Sequence, residues 1–141
     1  MTYTYDISGD DFASAGAASS DIKKKLRQLG LPTTLIKRAA IAMYEAEINM
    51  VIHAGGGMTE VIIGADRITM EFRDEGPGIP DIALAMTEGW STASEEARQM
   101  GFGAGMGLPN IDKNVDHLEI DSVPGKGTMV RMTLEIGGTE P

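Results

Sequence analysis

Four groups of residues along the 141-residue chain carry side chains, or bare backbone, that could do chemistry together. The first is Glu45 with Asn49. A spacing of four puts both on one face of a helix, and Ala42 and Ala46 leave room beside them. An amide oxygen suits a hard cation, and a carboxylate can take a proton from an attacking hydroxyl or water. The second group is Asp74-Glu-Gly-Pro-Gly-Ile-Pro-Asp81. Gly76 and Gly78 bare the backbone to a flat ligand, while Asp74, ending an alternating run, needs a donor such as an exocyclic amine. The third is Gly101-Phe-Gly-Ala-Gly-Met-Gly107, which runs into Leu108, Pro109 and Asn110. Glycines at alternate positions ahead of a helix offer several backbone N–H groups to phosphate oxygens, at the positive end of that helix. The last is Gly125-Lys-Gly-Thr128, which opens the final strand.

The first three groups also have a plainer reading. A Glu and an Asn four apart on a helix are most often solvated, DEGPGIPD is also a Pro/Gly turn with acidic flanks, and GFGAGMG is also a hinge loop. GFGAGMG is not a Rossmann fingerprint, since a polar segment rather than a strand precedes it and Met106 stands where the third glycine would be. Gly125-Lys-Gly127 lacks the upstream glycine of a Walker A loop. The order and spacing of all four groups, rather than any one, carry the signal.

Composition narrows the classes. A net charge of -9 and a pI near 4.6 argue against a direct nucleic-acid partner, which wants a basic surface. The one basic run, Lys23-Lys24-Lys25, reads as a solvated helix face. Acidity is compatible with nucleotide binding mediated by a divalent cation. There is no cysteine, hence neither disulfides nor thiolate metal sites. No signal-peptide pattern opens the chain and no apolar run approaches a membrane span, so the expected location is cytoplasmic. Ten methionines against seven aromatic residues suggest a core of adaptable side chains.

The elements that must position these groups follow from hydrophobic period. Alternation of Tyr3, Tyr5 and Ile7 with polar residues predicts a short strand before Gly9. A helix capped by Ser19, Ser20 or Asp21 ends near Gly30, and after Pro32 a long helix starts at Thr33 or Thr34 and runs to about His53, closed by Gly55-Gly-Gly57. Met58 to Gly64 and Arg67 to Arg73 read as strands joined at hairpin spacing by Ala65-Asp66. Asp81 caps a short helix over 82–87, and then the pattern fails from Glu88 to Gly107. A structureless stretch of that length in a compact domain is uncommon unless it is disordered or works as a lid. Leu108 to Asn114 reads as a helix, His117 to Val123 and Thr128 to Ile136 as strands, and 137–141 as a frayed tail. The expected fold is α+β: one domain over 1–141, a two-layer sandwich with helices on one face of a mixed sheet and a lid at about 88–107.

Taken in order, Glu45-x-x-x-Asn49, Asp74-x-Gly76-x-Gly78, the GFGAGMG cluster and Gly125-x-Gly127-Thr128 resemble the motifs of the GHKL ATPase fold, the Bergerat ATP-binding fold shared by gyrase B, the Hsp90 chaperones, histidine kinases and MutL. Within it, DEGPGIPD, GWSTA, GFGAGMGLPNI and GKGT look like the bacterial anti-sigma-factor serine-protein kinases of the short switch-kinase type, over Asp21 to Ile136. The resemblance implies that Asp74 binds the adenine amino group with help from Thr128, that Gly76 and Gly78 line the adenine pocket, and that Asn49 ligates Mg²⁺. It implies Glu45 as the general base for a substrate serine, and Gly103, Gly105, Gly107 and Leu108 as part of the ATP-binding set. Arg98 is the one cation in the 88–100 stretch, either neutralising charge on the transferred phosphoryl group or simply solvated, and Ser91 and Thr92 either contact phosphate or shape the loop. His53 reads as a helix-end residue. The implied function is an ATP- and Mg²⁺-dependent protein-serine kinase of a partner-switching module, with a STAS-like antagonist protein as substrate. A sigma factor and an activating phosphatase are both open as further partners, and so are the monomer and the homodimer. The rival class is a nucleotide-gated binding module with little or no phosphoryl transfer. Slow ATP hydrolysis is a third reading, and Glu45 favours the kinase because ATP binding alone needs no base.

Overall fold

The computed structural model describes residues 1–8, 15–51, 56–74, 107–123 and 126–136, and the structural statements that follow concern those residues. The chain runs β1 (Thr2–Ser8), α1 (Ala17–Gln28), α2 (Thr33–Asn49), β2 (Gly56–Ile63), β3 (Arg67–Asp74), α3 (Gly107–Asn114), β4 (His117–Val123) and β5 (Gly127–Glu135). The short helix expected over 82–87, the stretch from Glu88 to Met106 and the tail 137–141 lie outside the described residues.

The strands form one sheet in the order β1-β2-β3-β5-β4. All four pairings are antiparallel, which corrects the expectation of a mixed sheet. The reason lies in the connections: β2 and β3 are joined by a tight hairpin, with Gly64 N–H donating to Arg67 O at 2.9 Å, and β4 turns back directly onto β5. Alternation assigns the faces. Ile7, Val61, Ile63, Ile68, Met70, Phe72, Met132 and Leu134 are buried toward the helices, while Glu60, Glu71, Glu119 and Arg131 share the opposite, polar face. Slipping any strand by one residue would exchange the two sets, so register is strongly specified.

Helix α2 is central: it packs on α1 and α3 and lies over β3 and β5. Its buried Leu35, Ile36, Ala39, Ala42, Met43, Ala46 and Ile48 spread around much of the helix, as expected for an element with neighbours on several sides. Each fully buried large aliphatic contributes roughly 1.5–3 kcal/mol. The alanines let the neighbouring elements approach closely. Beyond Asn49 the chain continues in a wider π-type turn at the buried Met50 and Val51.

Two boundaries differ from expectation. α1 starts at Ala17, ahead of the serines expected to cap it, because Gly16 adopts φ 97° and no side chain of its own segment caps the helix. β2 begins at Gly56, so Gly56 and Gly57 belong to the sheet instead of to a helix-ending turn. Among the described residues no helix is long and apolar enough to cross a membrane.

Candidate functional site

Asp74 is the last residue of β3 and stands directly across from Thr128, the second residue of β5. The backbone N–H of Thr128 donates to Asp74 Oδ1 at 3.3 Å. Strand parity puts Asp74 on the same side as Met70 and Phe72, and Thr128 on the same side as Met132, so both face the helix layer, and both are half-buried. Ser122 of β4 joins them: its hydroxyl lies 2.9 Å from that of Thr128 and within 3.4 Å of the Gly127 carbonyl. Three oxygen-bearing side chains from three adjacent strands thus line one end of the inner face.

The end of α2 reaches the same place. A Cβ placed on Gly57 would sit 2.3 Å from the Arg73 carbonyl oxygen, 2.3 Å from Met50 Cε and 3.1 Å from Asp74 Cα. No side chain fits there, and glycine is what lets β2, β3 and the turn after α2 close on one another. The Thr59 hydroxyl donates weakly to Met50 Sδ at 3.9 Å and fastens the same corner. Asn49 immediately precedes Met50, and Glu45 is one turn further back; both are half-buried, and Ala42 and Ala46 on the same helix are buried.

Helix α3 supplies the remaining wall. It begins at Gly107, the last residue of the glycine cluster, with Pro109 in its first turn, where a missing N–H costs nothing. Leu108, Ile111 and Val115 pack in the core, so the Leu108 side chain is a packing group and only its backbone could meet a ligand. Asn110 Nδ2 donates to Glu45 Oε2 at 2.9 Å. Asn114 Nδ2 donates to the Asn110 carbonyl at 2.8 Å, and Arg38 Nε to the Asn114 carbonyl at 3.1 Å. Arg38 also meets Asp116 Oδ1 at 3.0 Å, and Asp116 Oδ2 accepts the Glu135 N–H at 2.7 Å. That N–H first, opposed by partial burial, and then Arg38 hold the Asp116 carboxyl below the usual range.

A second carboxylate of α2 is committed elsewhere. Glu47 is 2% exposed and accepts the N–H groups of Gly16 (2.9 Å), Ala18 (3.2 Å) and Ser19 (3.0 Å). It caps α1 from another helix, giving the donors and positive end of that helix a negative partner. Burial, and then the charges of Glu45 and Glu47, push the neighbouring Tyr44 hydroxyl above its ordinary value.

The structure pairs Asp74 with Thr128 and Glu45 with Asn110 of α3, sets Met50, the residue after Asn49, against the Arg73–Asp74 end of β3 at Gly57, and places Gly107 at the head of α3. Gly76, Gly78, Arg98, Gly103 and Gly105, with His53, Ser91 and Thr92, lie outside the described residues. Sequence reasoning gave no role to Asn110, Ser122 or Glu47, and read Gly57 only as part of the turn that ends a helix. Strand parity through HLEIDSV could have found Ser122, and a charged residue between Ala46 and Ile48 could have flagged Glu47. Nothing local announces Asn110 or Gly57.

The donor set suits a nucleotide with Mg²⁺. Among the described residues no three His, Cys, Asp or Glu side chains gather as a metal cluster, and the candidate ligand is the single amide of Asn49. Mg²⁺ characteristically keeps several waters and takes most of its other ligands from phosphates, so one protein oxygen is a fitting share. A half-buried carboxylate with a neighbouring hydroxyl, at the mouth of an otherwise apolar face, fits a flat base carrying an amino group.

A five-stranded antiparallel sheet under helices, with Asp74 ending a central strand and Glu45-x-x-x-Asn49 on the facing helix, defines a GHKL-type ATPase domain. Residues 10–134 match the family model of the histidine kinase-like ATPase domain, and the chain belongs to that family. It is similar to an anti-sigma F factor of Thermoanaerobacter sp. (strain X514), 43% identical over 101 residues that cover 68% of this chain and 67% of the relative. It is also similar to the serine/threonine-protein kinase RsbT of Bacillus subtilis (strain 168), 33% identical over 109 residues, 74% of this chain and 76% of that one. Two solved structures share the fold. The RsbU and RsbW domains of a Mycobacterium tuberculosis protein match with a TM-score of 0.66 at 14% identity, over 96% of this chain and 32% of that one. The mycobacterial sensor histidine kinase MprB matches with a TM-score of 0.56 at 16% identity, over 99% and 100%.

Proposed function

We propose that the chain is an ATP- and Mg²⁺-dependent protein-serine kinase of a partner-switching regulatory module, and that its substrate is a STAS-like antagonist protein. The observation that supports this reading is the close approach at Gly57, where Met50, the residue after Asn49, meets the Arg73–Asp74 end of β3. The names of two relatives, an anti-sigma F factor and the serine/threonine-protein kinase RsbT, support the regulatory class.

Each residue has a stated task. Asp74 accepts a hydrogen bond from the amino group of adenine, and Thr128, its hydroxyl paired with Ser122, orients the same edge. Asn49 offers its amide oxygen to Mg²⁺. Glu45 accepts the proton of the attacking serine hydroxyl, work typically worth about 10²–10⁴-fold in rate. Gly103, Gly105 and Gly107 present backbone N–H groups to phosphate oxygens, and Arg98 neutralises charge on the group in transfer. When bound, ATP brings the phosphoryl group and Mg²⁺ spreads the charge of its phosphates. The domain is cytoplasmic, and a sigma factor or a phosphatase is its further partner.

The test is incubation of the full chain with Mg²⁺, ATP labelled at the γ-phosphate and STAS-domain proteins. The expected result is labelled serine with the parent chain and none with Glu45→Ala, which still binds nucleotide. Equal labelling by Glu45→Ala overturns Glu45 as the base. Tight Mg²⁺-dependent ATP binding without labelling of any STAS protein turns the reading into the nucleotide-gated binding module.

A further inference from the structure

We propose that Asn110 is a positioning residue for Glu45, so that the orientation of the proton-accepting carboxylate is set by α3 and not by α2 alone. The inference rests on the reading of Glu45 as the general base. A glutamate on a helix has three rotatable bonds, and a base must stay within hydrogen-bond reach of the proton it takes. Asn110 Nδ2 stands 2.9 Å from Glu45 Oε2. An ionised carboxylate only accepts, so the amide of Asn110 must present its NH₂ to it. One carboxylate oxygen is thereby held and the other is left to meet the substrate hydroxyl.

The donor is itself held. Its residue is flanked by the buried Pro109 and Ile111, and its carbonyl accepts the Asn114 amide at 2.8 Å. Arg38 Nε closes the ladder on the Asn114 carbonyl at 3.1 Å. The ladder leaves α2 at Glu45, descends one turn of α3 and returns to α2 at Arg38, two turns below. Asn110 is therefore a fixed point from which a neighbouring helix can aim a mobile side chain. Packing of α2 on α3 does not depend on this contact, because Leu108 and Ile111 in the core and the Arg38 rung remain without it.

Two measurements on the full chain test the proposal. In nuclear magnetic resonance of the free protein, the side-chain amide protons of Asn110 are expected at distinct, slowly exchanging positions that move in Glu45→Ala; resonances indifferent to Glu45→Ala overturn the contact. In single-turnover transfer to a STAS protein that the parent chain phosphorylates, Asn110→Ala is expected to be ~10- to 100-fold slower, the order of loss caused by a misplaced reacting group. Its ATP affinity stays within about twofold and its melting temperature within a few degrees, since a single half-buried contact of this kind carries little stability. Asn110→Asp, of the same shape without the donor, is expected to be slower still, and Asn110→Gln to recover part of the rate. An Asn110→Ala rate equal to the parent's, with Glu45→Ala inactive, overturns the positioning role and leaves Glu45 as the base. Full activity of Glu45→Ala removes the base itself, and absence of transfer by the parent overturns the kinase reading and this inference together.

Discussion

Glu45 and Glu47 stand two residues apart on α2, roughly 200° around the helix from one another. Glu47 is buried and takes the backbone N–H groups of Ala18 and Ser19 in α1 and of Gly16 at its N-cap, whereas Glu45 is half-buried and its side-chain donor is the Asn110 amide. A carboxylate bonded to three backbone donors is fixed in place and its lone pairs are largely spoken for, so it stabilises the fold. One that is held at one oxygen and reaches solvent with the rest can still take a proton. Exposure and the kind of donor, more than residue type, separate the structural glutamate from the one proposed as the base.

The comparison can be broken at either residue. Glu45→Ala is expected to lower serine phosphorylation by ~10²–10⁴-fold, the usual worth of a general base, while thermal unfolding moves little. A large stability loss with transfer intact would reverse the two roles. Glu47→Ala is expected to cost about 3 kcal/mol, because it leaves buried N–H groups of α1 without their acceptor. For a chain of this size that is roughly a 10 °C fall in melting temperature, readable by circular dichroism, and a shift under about 2 °C would contradict the cap.

Gly57→Ala sharpens the comparison at the corner that joins the two halves of the site. Met50 Cε can swing aside but the Arg73 carbonyl cannot, so the expected cost is about 2 kcal/mol together with weakened nucleotide binding. Unchanged denaturant midpoint and affinity would mean that the corner does not need glycine. The smallest effect belongs to the polar face of the sheet. Hydrogen bonds from Arg73, partly opposed by burial, and then from Arg131 hold the Glu71 carboxyl below its ordinary 4.5. A depressed folded-state value means stability that is present above the ordinary value and lost as the pH falls through the lowered one, because the unfolded chain takes up the proton first. Glu71→Gln is expected to flatten that acid-side loss at a cost of at most about 1 kcal/mol near neutrality, measured as melting temperature against pH. An unaltered acid limb would show that another carboxylate governs it.

Much of this arrangement was legible in the residue pattern, for definite reasons. Strong alternation in RITMEFRD and HLEIDSV fixed those strands and, through parity, the face on which Asp74 lies. The Glu45–Asn49 spacing was informative because both residues sit on one helix, where geometry follows from sequence distance. What stayed hidden depends on contacts between distant segments. Asn110 lies 65 positions from Glu45, and Glu47 caps a helix some 30 positions upstream, so neither pairing has a local signature. Gly56 and Gly57 read as a helix terminator because glycine after a helical run usually is one; here the strand partner and Met50 demand the missing side chain. The β2–β3 hairpin was legible from its two-residue connection, but the remaining strands were expected to make a mixed sheet, since alternation specifies a strand's face and not its direction.

The most direct test is calorimetric titration of the full chain with ATP, with and without Mg²⁺, beside Asn49→Ala, Asp74→Asn and Glu45→Ala. The account predicts metal-dependent binding that is lost in Asn49→Ala, weakened in Asp74→Asn with a reduced preference for ATP over GTP, and retained in Glu45→Ala. Equal affinity in all four folded proteins, or no binding by the parent chain, would contradict it.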